Sequence, residues 1–207
     1  MDKQIKIIRV DPSKITDDDG NHIDLTSANA LRRWLIKRYS RCEVAVSDNG
    51  KTIRFTVKGF RDSLKKRGEV HQQVYADLDV LLENSVYDDS EKGDAKHPYI
   101  ERQDIYYAAA QIGDKVFGIR FKVDVRKGDE YGTYKDHKVV EIDDVEEVDI
   151  KVPPSPYVGV SPTGTEGGKS ITVAKIKAAM GLGNNIRNYA QKSKKNKKIS
   201  SGSYLQN

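Results

Sequence analysis

The sequence predicts an α+β domain in which N-terminal helices pack on one face of a mainly antiparallel sheet, followed by a flexible basic C-terminal extension. Three observations predict this. Segments between Thr52 and Ile142 alternate apolar with basic or histidine residues, the period-2 pattern of a strand with one buried and one open face. Stretches near 27–39 and 62–84 instead space their apolar residues three and four apart, as in a helix with one buried stripe. Turn signals at Asp48-Asn49-Gly50 and Gly113-Asp114 join neighbouring strands as hairpins, which are antiparallel.

Taken in order, Lys3–Val10 reads as a first strand and Asp17–Asn21 as a turn. Its triple Asp resembles part of a calcium loop but lacks the alternating ligands and the Glu at position 12. Ser27 or Thr26 is placed to cap a helix running to about Tyr39, with Leu31, Trp34, Leu35 and Arg38 near one stripe. Glu43–Val46 and Lys51–Val57 pair across Asn49-Gly50, which readily takes the positive φ of a tight turn. The strand Thr52–Lys58 sets Ile53, Phe55 and Val57 against Arg54 and Lys58 on the other face, and Gly59 ends it. A long helical segment follows from about Asp62 to Asn84, interrupted near Gly68, with Val74, Leu78, Leu81 and Leu82 as its stripe and Tyr75 alongside.

Tyr87–Pro98 is polar and reads as a mobile loop. Ile105–Ile112 and Lys115–Val125 form the second hairpin, with Phe117, Ile119, Phe121, Val123 and Val125 on one face and Arg120 and Lys122 on the other. After a turn at Lys127–Gly132, Tyr134–Ile142 is the last strand. A regular strand places Lys135 and His137 on the open face and Tyr134 on the buried one; a bulge would alter that. The acidic run Glu141–Asp149 closes a domain spanning 1–150. Residues 151–169 form a Pro/Gly-rich linker, and 170–207 a short helix capped by Ser170 and a basic disordered tail.

With 207 residues, 37% of them hydrophobic and 32% charged, and a mean hydropathy of −0.69, the chain suits one soluble domain with a modest core and an appendage. No apolar run approaches the ~20 residues of a membrane helix, and the first residues lack a signal-peptide core. Cys42 is the only cysteine, which excludes an intramolecular disulfide and the Cys-rich zinc patterns. The net charge of +5 is uneven. Residues 151–207 hold ten basic residues and one acid, net +9, whereas 1–150 hold 26 and 30, net −4. Such a tail suits nucleic acid or another polyanion, or is simply solvated.

Gly164–Ser170 resembles a phosphate-binding loop but leaves three residues, not four, before its Gly-Lys pair, and no buried strand precedes it. His71 lies on the long helix beside its apolar stripe, where it either packs at the core edge or transfers protons. Lys65-Lys66-Arg67 start that helix against the dipole, and read as a solvated run or as phosphate contacts. His137 would share the open face with Arg54, Lys58, Arg120 and Lys122, where cations stabilise the extra charge of a pentavalent phosphorus. His22 and His97 fall in turns, and no two histidines have metal-ligand spacing.

The run Ile53–Leu64, then His71, Leu78–Val86, Tyr107–Ala110, Gly113–Phe117 and Tyr134–Val139, resembles the predicted nuclease domains of the barnase–EndoU–colicin–RelE fold found in large polyvalent proteins of phages and mobile elements. The likeness covers roughly residues 3–145 and includes no invariant catalytic string. It implies helices on a four- or five-stranded antiparallel sheet, RNA cleavage without metal or cofactor, and Lys58, Ser63, His71, Tyr134 and His137 as site positions.

The expected function is therefore a metal-independent endoribonuclease, a phage- or mobile-element-associated toxin or effector. Its catalytic residues are His71 and His137 for proton transfer, with Lys58 and Arg54 on the phosphate. Arg120, Lys122, Ser63, Lys65 and Tyr134 bind substrate. The expected partner is RNA, including tRNA, with an antitoxin or phage structural protein beside it and no membrane. The expected location is the host cytoplasm, reached by synthesis there or within a phage particle. The alternative is a non-catalytic module of phage origin that binds nucleic acid or protein.

Overall fold

The structure, a computed structural model, describes residues 2–65, 68–93, 96–143 and 169–182. They form an α+β fold on a mostly antiparallel mixed sheet of eight strands. The strands are β1 Gln4–Arg9, β2 Glu43–Ala45, β3 Thr52–Arg54, β4 Val86–Lys92, β5 Ile100–Ile112, β6 Lys115–Arg126, β7 Gly132–Ile142 and β8 Ser170–Thr172. The sheet order is β2-β3-β7-β6-β5-β1-β8. One edge of β5 is shared, since β4 pairs antiparallel with its first half and β1 parallel with Ala109–Gln111.

Helices α1 Ala28–Tyr39, α2 Val57–Ser63, α3 Glu69–Gln73 and α4 Leu78–Glu83 lie on one face. Leu31, Leu35 and Tyr39 of α1 recur every four residues and are fully buried, so this stripe seals the helix onto the core. Phe60, Val74, Tyr75, Leu78, Leu81 and Leu82 meet Ile119, Phe121, Val123 and Tyr134 from the sheet in the same core. A fifth helix, α5 Val173–Ala179, covers part of the opposite face with Ile171, Val173 and Ile176 against Ile105, Tyr107, Ala109 and Ile142. Gly118 permits this approach, because a Cβ there would sit 2.7 Å from the Ile176 side chain. No helix among the described residues is long and apolar enough to cross a membrane.

Four sequence expectations change. The strand expected over Thr52–Lys58 stops at Arg54, because the Thr56 hydroxyl accepts the Gly59 amide at 3.1 Å and starts α2 there. Lys58 is thus a helical residue, and Val57, whose alternation suggested burial, is 50% exposed. The long helix of 62–84 is instead α3, a 3₁₀ turn at Val74–Asp77 and α4, with Gly68 as the N-cap of α3. The loop expected over 87–98 contains β4, an edge strand whose polar residues carry no apolar alternation. Ser170–Thr172 is a strand antiparallel to β1, and Thr172 rather than Ser170 caps α5. The expected linker and tail at 151–168 and 183–207, and the acidic residues 144–150, lie outside the described residues.

Candidate functional site

His71 and His137, far apart in sequence, stack face to face where α3 meets β7. Their ring centroids are 3.7 Å apart and the planes 10° from parallel. His71 arrives on α3; His137 arrives through a bulge in β7. The β6–β7 register passes from Val123↔Tyr134 to Lys122↔Asp136, leaving Lys135 as the extra residue. Residues 134 and 137 would face opposite ways in a regular strand, and the bulge turns both toward the helices. His137 consequently sits at 0% exposure on the helix-covered face, which corrects its expected place among open-face cations.

A hydrogen-bond chain orients the pair. His137 Nε2 lies 3.0 Å from the His71 carbonyl oxygen, which can only accept, so Nε2 carries the hydrogen. In the neutral ring Nδ1 is then an acceptor, and the Tyr134 hydroxyl donates to it at 2.6 Å. Tyr134 Oη in turn accepts from Ser63 Oγ at 2.9 Å, and Ser63 Oγ accepts from the Tyr75 hydroxyl at 2.6 Å. Burial holds both tyrosine hydroxyls above their ordinary range, so they remain donors. The Tyr75 ring stands edge-on to both imidazoles. Tyr134→Phe removes the hydroxyl joining Ser63 to His137 while keeping the ring. It is expected to lower Tm by about 3–10 °C, as read by thermal unfolding.

A cleft of about 480 Å³ opens on the His71 side, lined by Gly68, Val70, His71, Phe117, Lys138, Val139 and Glu141. It follows the part of β7 that β3 does not reach, since β3 pairs only with Gly132 and Thr133. His71 is 7% exposed and is the member of the stacked pair that lines the cleft. Two imidazolium rings at this separation would repel strongly. A cation, a carboxylate and an imidazole therefore face one cavity, a set that suits proton transfer beside a developing negative charge.

The other expected site residues lie elsewhere. Arg54 is bonded to Glu43 at 2.7 Å and stacked 3.6 Å over the Tyr131 ring. Arg120 and Lys122 both reach Glu91 on β4, Lys122 at 2.7 Å, on the face of β6 opposite Ile119, Phe121 and Val123. The sheet face away from the helices thus holds Arg54, Arg120 and Lys122 but not Lys58 or His137, and Arg120 is buried there under Glu91 rather than open, at 7% exposure. Lys58 sits on α2 and donates to the Tyr99 hydroxyl at 3.2 Å. Lys65 pairs with Asp62 at 2.8 Å, and that bond holds the Asp62 carboxyl below its usual range. Ser63 and Tyr134 are buried links in the chain behind the histidines rather than surface groups that meet substrate.

Burial opposes ionisation of Glu91, but its bonds to Lys122 and Arg120 outweigh this and pull its carboxyl below 4.5. Its contribution is present above the unfolded value and is lost as pH falls through the lower folded one. Glu91→Gln is therefore expected to be less stable than the parent at neutral pH, with the difference closing as pH falls below the ordinary carboxylate range. Melting curves across that range check it.

Sequence reasoning missed Lys138 and Glu141, which line the cleft, and the clamp residue Glu91. In the sequence Lys138 is one more charge of the last strand and Glu141 begins the acidic run that closes the domain. Their role depends on where β3 stops.

The family model described as large polyvalent protein-associated domain 3 matches residues 16–134. The chain belongs to this family. The domain's matched span contains Ser63, His71, Tyr75 and Tyr134 and ends before His137, Lys138 and Glu141. It runs from the segment before α1 to the bulge of β7. No curated protein and no solved structure matches the chain.

Proposed function

We propose that this polyvalent-protein domain cleaves RNA without a metal ion, with His71 as its principal proton-transfer group. The observation that carries the reading is the stacked His71–His137 pair, held from behind by Tyr134 and Ser63 and open to a cleft only through His71. In the reaction the ribose 2′-oxygen bonds to the adjacent phosphorus and the bond from phosphorus to the 5′-oxygen breaks. A base takes the 2′-hydroxyl proton and an acid returns a proton to the leaving 5′-oxygen. His71 and Glu141 are the titratable pair that lines the cleft, and Lys138 supplies positive charge for the phosphorane. His137 positions His71 from the buried side. The basic residues beyond 182 add salt-sensitive, sequence-independent affinity. The setting is that of a phage- or mobile-element-borne toxin or effector acting on RNA in the host cytoplasm.

The test is incubation of the full chain with total RNA and with tRNA in EDTA, read on a denaturing gel beside His71→Ala. EDTA-resistant cleavage that disappears in the variant is expected. RNA binding by a wild type that cuts neither substrate would overturn the reading. It would favour the non-catalytic binding module instead, which has one observation of its own. Arg54, Arg120 and Lys122 share the sheet face away from His137, separated from the imidazoles, which a module that binds without chemistry would not need beside them.

A further inference from the structure

Tyr99 is one of three large hydrophobic side chains left exposed among the described residues, at 43%. It lies just before β5, and two cations border its ring. Lys58 Nζ lies 5.8 Å and the Arg126 guanidinium 5.7 Å from the ring centroid. The contrast with Tyr131 is informative, because there Arg54 closes on the ring at 3.6 Å and is itself neutralised by Glu43. Lys58 and Arg126 form no ion pair among the described residues, whereas Arg54, Arg120 and Lys122 all do. The nearest carboxylates are already engaged, Asp62 with Lys65 and Asp124 with Gln103 and Lys135. Lys58 and the His97 ring fix the Tyr99 hydroxyl, at 3.2 Å and 3.3 Å. The ring is thus oriented, partly open and flanked by two cations that form no salt bridge among the described residues, although Asp62 lies close enough to Lys58 to feel its charge. A small hollow beside it is lined by Thr56, Thr133 and Lys135 together with the already bonded carboxylates Asp62 and Asp124.

An aromatic plane edged by cations outside any salt bridge among the described residues fits a nucleobase with its flanking phosphates, because the ring stacks on any base and the cations meet the backbone. A duplex offers no free base face and cannot use the ring. Strand β7 connects the patch to the cleft, with Lys135 lining the hollow beside Tyr99 and Lys138 lining the cleft. At about 3.3 Å per residue the separation along the strand is roughly 10 Å, within the reach of one bound RNA strand. We propose that Tyr99, Lys58 and Arg126 form a stacking subsite for single-stranded RNA, lying along the strand from the His71 cleft. This deepens the RNA-cleaving reading and rests on it for the choice of RNA as the ligand.

The test separates binding from cleavage. A fluorescein-labelled, single-stranded 2′-O-methyl oligonucleotide lacks the attacking hydroxyl, so its anisotropy with the full chain reports binding alone. Tyr99→Ala is expected to weaken this binding about tenfold, and Tyr99→Phe to retain it. Binding of the same sequence as a duplex should be unchanged in both variants. Lys58→Ala should lower the salt slope of single-strand binding by about 0.7. Equal affinity of Tyr99→Ala and wild type for the single strand would overturn the subsite. So would an equal loss on duplex, or wild-type protein that does not bind the single strand at all, which would leave the patch to a protein partner. Wild type that binds the single strand through Tyr99, yet leaves the unmodified RNA uncut, would sink the cleavage reading and keep the subsite.

Discussion

Replacing His71 by alanine is expected to lower RNA cleavage by at least ~10²-fold while leaving the protein folded. The ring sits at the edge of the core rather than inside it, and its loss opens onto an existing cleft of about 480 Å³ instead of creating a sealed void. His71→Gln keeps a polar side chain without an imidazole and should be similarly inactive. The same substitution at His137 has a different expected outcome from the one its sequence position implied. His137 is fully buried and bonded at both ring nitrogens, so His137→Ala strands the Tyr134 hydroxyl and leaves a hole in the core. A loss of activity there would report instability as much as chemistry. Single-turnover cleavage and a thermal melt should be measured on both variants. A folded His71→Ala protein that cuts RNA at the wild-type rate would remove His71 from the mechanism.

The second large effect is expected at Gly59, which has an ordinary helical place and no functional atom. A Cβ on it would lie 2.2 Å from the Tyr134 carbonyl oxygen, a backbone atom that cannot swing away. Alanine would normally favour a helix over glycine by about 1 kcal/mol, but the overlap costs more than this gain. Gly59→Ala is therefore expected to destabilise by about 3 kcal/mol and to lower Tm by about 6–12 °C. The substitution also acts on the site. Lifting α2 from β7 draws Ser63 away from Tyr134, and the chain orienting His137 loses its second link. An unchanged Tm in Gly59→Ala would mean that α2 does not rest on β7 as described.

Much of the architecture was legible in the sequence because it depends on local pattern. The Asn49-Gly50 and Gly113-Asp114 turns set two hairpins, and β5, β6 and β7 followed from their alternation. The stripe of Leu31 and Leu35 marked α1 as amphipathic, and α1 buries it. The α+β class and the family's association with polyvalent proteins were likewise contained in the residues. β4 escaped notice because a polar edge strand has no apolar period and draws its stability from bonds to β5.

The site itself was decided by tertiary structure. His71 and His137 were singled out as titratable groups, but nothing local could show that they stack. One extra residue in β7 changes which face Tyr134 and His137 occupy, and the register that produces it is set jointly by two strands. The hydroxyl of Thr56 moved Lys58 from a sheet face to a helix, and from the histidines' expected neighbourhood to Tyr99. Sequence alone therefore determined the fold class, the hairpins, the charge asymmetry and which side chains carry imidazoles near the helix stripe and the last strand. Which of those side chains meet was left to long-range contacts, because a bulge, a cap and a close helix–strand approach each depend on atoms distant in the chain.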